Sequence, residues 1–206
     1  MRRLIPSFLL TACTLCPTLW VATLHAAPLD PYHLLNYLDN YGNLDLRLRP
    51  YTSLPDGLQV KGNLNLAQTP ITTLPNGLTV QGSLNAEHSQ VSRIPRGITI
   101  QGYADLRHTP LQQWPRGVKL GGYLNLTSTQ LVQLPLGLHV QGDLSVMHTP
   151  LSTLPEGLIV DGNLFIGGSA IHTLPDTLTI KGNLYLGGNN IEHWPTHFNL
   201  GGAVAR

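Results

Sequence analysis

LPDGLQVKGNLNLAQTPITT, residues 54–73, is followed directly by LPNGLTVQGSLNAEHSQVSR, residues 74–93. The two stretches match in phase, and the phase holds to the end of the chain. An apolar residue and a proline stand at 54–55, 74–75, 94–95, 114–115, 134–135, 154–155, 174–175 and 194–195, with no insertion or deletion between them. Seven full units of twenty residues occupy 54–193, and a partial eighth runs from 194 to 206. Such strict self-similarity marks a solenoid, in which each unit buries its apolar residues against its neighbours.

Numbered from the Leu-Pro, the unit reads L-P-x-G-L-x-V-x-G-x-L-x-L-x-x-T-x-I-x-x, with apolar residues at positions 1, 5, 7, 11, 13 and 18. Positions 5 and 7 alternate with polar neighbours, as do 11 and 13, so each coil holds two short strands. Position 9 is glycine in every unit, Gly62 through Gly202. It reads as a corner that needs positive φ or close backbone approach, where Gly122→Val costs more than about 1 kcal/mol. Position 16 is Thr69, Ser89, Thr109, Thr129, Thr149, Ser169 and Asn189. A polar side chain repeated in every coil, a hydroxyl in all but the last, bonds the turn backbone and its stacked neighbours and is not a nucleophile. The expected fold is a β-rich, leucine-rich-repeat-like solenoid with a parallel sheet, roughly 35 Å long at the strand spacing.

Residues 27–53 read as an N-terminal capping helix and half-coil ahead of the solenoid at 54–206. Asp30 is the N-cap, Pro31 takes the first helical position, and Gly42 follows the end. Leu34, Leu35 and Leu38 make one apolar face. Gly42-Asn43-Leu44-Asp45-Leu46 falls in phase with positions 9 to 13, and no comparable cap is legible after Trp194, Phe198 and Leu200.

Residues 1–26 read as a signal peptide, with Arg2 and Arg3 before an uncharged apolar run and small residues at Ala26 and Ala27. An uncleaved anchor and a lipidated Cys13 are the other readings of this segment. Both cysteines, Cys13 and Cys16, lie in it. The expected location is periplasmic or secreted, and membrane attachment follows only if the leader is retained or Cys13 is lipidated. Charged residues make up 11% of the chain and the formal net charge is +1, which gives no electrostatic footprint for nucleic acid.

Leu184-Tyr-Leu-Gly-Gly-Asn189-Asn-Ile191-Glu-His-Trp194-Pro195 resembles the leucine-rich repeat, L-x-L-x-x-N-x-L-x-x-L-P. In particular it is similar to the short, twenty-residue class of bacterial secreted effectors. The resemblance covers residues 42 to about 200 and implies a curved solenoid used for protein recognition. The chain departs from that pattern in its Thr or Ser column, in the V-x-G stretch that adds a second strand, and in the absence of a catalytic domain after the repeats.

Nothing in the chain arranges carboxylates, a nucleophile or a phosphate loop for chemistry. His88, His108 and His148 share position 15, but Ser128 interrupts the column and no carboxylate joins them regularly. No catalytic residue, metal site or cofactor is expected. For recognition, position 10 offers Tyr103 and Tyr123, and position 12 offers Asp105, Asn125, Phe165 and Tyr185. Aromatics suit an interface because they give contact area at low entropic cost. The asparagines of both columns equally suit ladders that hold the stack. The function expected is a non-catalytic, exported scaffold that binds a protein through its strand face. The alternatives are a carbohydrate-binding or cell-envelope structural protein, and a secreted virulence effector without a catalytic domain.

Overall fold

A computed structural model describes residues 27–206, so the leader reading and both cysteines lie outside the described residues. The chain winds as a parallel β-solenoid of about eight coils of twenty residues. Coil 1 is residues 54–73, coil 2 is 74–93, and so on to coil 8, 194–206.

Positions 11 and 12 of every coil form a two-residue strand. Nine of these, from Leu44–Asp45 to Val204–Ala205, make one parallel sheet. Each residue pairs with the one twenty further on, Leu64 with Leu84 and Leu144 with Leu164. The half-coil expected at Gly42 is therefore a true rung, since Leu44 pairs with Leu64. Positions 6 and 7 form the second strand foreseen from the V-x-G stretch. Here the sheet is interrupted. Gln59–Val60, Thr79–Val80, Thr99–Ile100 and Lys119–Leu120 make one four-stranded sheet, and His139–Val140 through Asn199–Leu200 make another. Each block ends on Gly-Gly, at 121–122 and 201–202. A Cβ on Gly121 would collide with the carbonyl of Gln101, and one on Gly201 with that of Lys181. Leu120 and Leu200 are correspondingly half-buried, where the other residues of their column are buried.

The core is the expected set of columns. Leu64, Leu66, Ile71, Leu74, Leu84 and Leu126 are fully buried, and their counterparts through coil 7 are buried, while Trp194 and Val204 of the partial coil 8 are exposed. Position 16 is buried with them in coils 1 to 5, and Ser169 and Asn189 are half-buried. Thr69 Oγ1 donates to the carbonyl of Leu66 at 2.7 Å, and Ser89, Thr109, Thr129 and Thr149 repeat the bond. This closes the turn that follows the main strand inside an apolar interior, where an unpaired hydroxyl would be costly. Asn189, which keeps the repeat-like asparagine, reaches across the coils instead. Its Nδ2 donates to Ser169 Oγ at 2.9 Å, and its Oδ1 accepts from Gly168 N.

Two local expectations are corrected. The cap helix covers only Pro31–Leu34, followed by a 3-10 turn at Leu35–Tyr37. Asp30 does cap it, accepting from Tyr32 N at 3.0 Å. Asp39 then ends the helical run, because its carboxylate accepts from Tyr41 N, Asn43 N and Asn43 Nδ2 and folds residues 39–43 into a turn. Leu34 is buried, but Leu35 and Leu38 are exposed. A strand at Tyr51–Ser53, paired with Ala27–Pro28, was not foreseen. The second correction concerns the corners. The glycines at position 9 serve close approach alone. Within the coils the left-handed residues are at position 4, such as Gly57 (φ 73°), and position 15, such as His88 (φ 56°) and Ser128 (φ 58°), with Gly187 added at position 14 and Gly42 ahead of coil 1.

Candidate functional site

The strand face carries two polar columns with different work to do. At position 10 each side chain accepts from the backbone of the next coil. Asn63 N donates to Asn43 Oδ1 at 2.7 Å, Ser83 N to Asn63 Oδ1 at 2.8 Å, and Tyr103 N to Ser83 Oγ at 3.2 Å. The ladder resumes with Asn163 N to Asp143 Oδ1, Asn183 N to Asn163 Oδ1 and Ala203 N to Asn183 Oδ1. It lapses at Tyr103 and Tyr123, whose side chains offer no such bond. At the same level the position 9 N–H groups of Gly62, Gly82, Gly102, Gly162, Gly182 and Gly202 donate to the glycine carbonyl one coil back, and those of Gly122 and Gly142 do not. In place of the ladder the two phenol rings stack at 4.4 Å and 6°, each 37% exposed.

At position 12 the side chain caps its own turn. Asp45, Asn65, Asn85, Asp105 and Asn125 each accept from the backbone N–H two residues on. Asn125 also accepts from Thr127 Oγ1 at 2.7 Å. Asp105 is buried, and its carboxylate accepts from Arg107 Nε at 3.0 Å while Arg107 reaches Glu87 at 3.0 Å. Asp105 and Asn125 are thus engaged within the solenoid, and of this network Arg107 and Glu87 keep the more exposed heads. In coils 6 and 7 the column changes to Phe165 and Tyr185, stacked at 4.6 Å and 6°. Neither can cap a turn, and Gly187 (φ 54°) and Gly188 (φ 88°) supply the turn conformation after Tyr185. The structure therefore brings Tyr103 against Tyr123 and Phe165 against Tyr185, with Asp143 and Ser145 of coil 5 between the pairs.

The packing of the tyrosine pair has a titration signature. Burial first, then the adjoining Tyr103 and the charge of Asp105, push the Tyr123 hydroxyl up to about 12. The folded state favours the neutral phenol. The stability from this group is whole below the ordinary value of about 10 and is lost as pH rises through about 12. The difference in phenolate absorbance between the parent and Tyr123→Phe is expected to rise near pH 12. A midpoint near 10 would show that the rings do not pack as described.

His88 and His108 also stack, at 4.4 Å and 6°. Imidazole lone pairs lie in the ring plane, so parallel rings direct them side by side and do not converge on one ion. Among the described residues no group of three or more His, Cys, Asp or Glu side chains is placed to hold a metal.

Sequence reasoning passed over the opposite side of the coil. A groove of about 1030 Å³ runs over the Leu-Pro turns from Ser92 to Glu156 and is lined by Arg93, Arg96 and Arg116. The signal was present in position 3, which reads Asp56, Asn76, Arg96, Arg116, Leu136, Glu156 and Asp176.

Comparison of this chain with protein-family models, with curated proteins and with solved structures finds no match. Among the described residues, no helix is long and apolar enough to cross a membrane.

Proposed function

We propose that this protein is a non-catalytic, exported scaffold that recognises another protein through its strand face, centred on Tyr103 and Tyr123. The observation that carries the reading is the lapse of the position 10 ladder at these two residues. Every other full coil spends that side chain on a cross-coil bond or has an acceptor fit for one, and these two place an exposed aromatic pair there instead. Stacking covers one face of each ring and leaves both rings partly exposed, which suits contact with aliphatic and aromatic side chains of a protein. Export rests on the leader reading of residues 1–26. Kinship with bacterial leucine-rich repeats rests on the stretch 184–195.

The test is affinity capture from bacterial envelope extract and from host extract, comparing the parent with Tyr103→Ser/Tyr123→Ser. The expected result is a protein retained by the parent and bound at least about a hundredfold more weakly by the double variant, as for paired aromatic hot spots. Equal retention by both would reject the face. Capture of glycan alone would move the reading to the carbohydrate alternative. Fractionation in a Gram-negative host, with the mature N-terminus read by mass, tests export: a product starting at Ala27 or Pro28 is expected.

A further inference from the structure

We infer that the groove over the Leu-Pro turns is a second binding site, independent of the strand face, for an extended peptide segment carrying carboxylates beside apolar side chains. The turns at either end of the solenoid are held by position 3. Asn76 N donates to Asp56 Oδ1 at 2.8 Å and Thr196 N to Asp176 Oδ1 at 3.2 Å. In coils 3, 4 and 5 that position is Arg96, Arg116 and Leu136. Arginine has no acceptor and leucine no polar atom, so neither can make the bond. Coils 3 and 4 lack this contact as they lack the position 10 bond on the strand face, whereas coil 5 lacks it only here, since Asp143 keeps its bond to Asn163 N.

What replaces the contact is unbalanced charge. Arg93, Arg96 and Arg116 are exposed, and none of them forms an ion pair among the described residues. Arg96 and Arg116 stand one coil apart, about 4.8 Å along the stack. Like charges so close repel, and an anionic ligand relieves the repulsion; guanidinium forks match carboxylates bidentately. Towards coil 5 the groove changes character. Val132 and Leu136 are 51% and 62% exposed, and Glu156 closes that end. A uniform polyanion, whether nucleic acid or acidic polysaccharide, would meet Glu156 and leave both aliphatic side chains uncovered. A peptide can place carboxylates on the arginines and apolar residues on Val132 and Leu136.

The test is fluorescence anisotropy of the full chain with a labelled peptide of three glutamates followed by three leucines, and with the reversed order. The controls are the same peptides with glutamine for glutamate, and an oligouronate. The acidic peptide is expected to bind in one order, more weakly as salt rises. Binding should fall at least about tenfold in Arg96→Ala/Arg116→Ala and in Leu136→Ser, and stay unchanged in Tyr103→Ser/Tyr123→Ser. The substituted side chains are exposed, so matched melting curves separate lost binding from lost folding. No binding in either order, equal binding of the glutamine peptides, oligouronate binding as tightly, or indifference to the arginine pair would each overturn the proposal.

Discussion

Leu126→Ala is expected to lower the unfolding free energy by about 4 kcal/mol, the upper part of the range for a fully buried leucine. Leu126 is 0% exposed and sits in a column between Leu106 and Val146, both also at 0%. Neighbouring coils are tied by regular backbone pairing on the main sheet, so they have little freedom to collapse into the space. Position also matters. Coil 4 is the last of the first block, and its second strand, Lys119–Leu120, does not pair with His139–Val140 of coil 5. The stack is a chain of nearest-neighbour contacts, so the damage should concentrate at this seam. Denaturant unfolding measures the loss, and hydrogen exchange should show the backbone of coils 4 and 5 opening first. A loss under about 1 kcal/mol, or protection lost evenly over the chain, would contradict the seam.

The second large effect is expected from Gly82→Val, at about 3 kcal/mol. A Cβ on Gly82 would stand 2.5 Å from Asn63 Oδ1 and 2.7 Å from the carbonyl oxygen of Gly62. These atoms accept from Ser83 N and from Gly82 N, so the added methyls break two cross-coil bonds as well as crowding the corner. Gly122→Val offers an internal comparison. Its nearest contact would be Tyr103 N at 3.0 Å, in the region where the glycine ladder has already lapsed. The same substitution there should cost less than at Gly82, though still more than about 1 kcal/mol. Equal melting shifts for the two variants would mean that the lapse is of no energetic consequence.

The comparison of columns shows where sequence reasoning reached its limit. Asn63 at position 10 and Asn65 at position 12 are the same residue type in adjacent polar columns of one strand. One amide bridges to the next coil and the other caps its own turn, a difference that residue type cannot signal. Position 9 invited a left-handed corner because it is always glycine, yet histidine, glutamine and serine occupy the left-handed corner at position 15. There a backbone bond from position 16 to position 13 and the buried hydroxyl over it hold the turn, so the cost of a side chain in that region is borne by the fold. The cap helix is shorter than expected for a similar reason. Gly42 suits the stop of a helix that starts at Asp30, but three bonds to the Asp39 carboxylate fold residues 39–43 into a turn.

By itself the sequence determined the twenty-residue period, the parallel in-phase pairing and the core columns. It could do so because a strict repeat forces like residues to stack, and burial then follows from hydrophobicity alone. It also named Tyr103, Tyr123, Phe165 and Tyr185, and periodicity placed each pair in one column. Only the tertiary structure decided that Asp105 and Asn125 are held inside the turns, that the second sheet divides after Lys119–Leu120, and that Arg93, Arg96 and Arg116 line one groove. Each of these depends on how the coil bends between its strands. Corner angles determine which columns become neighbours across a face, and a one-dimensional repeat carries no direct record of them.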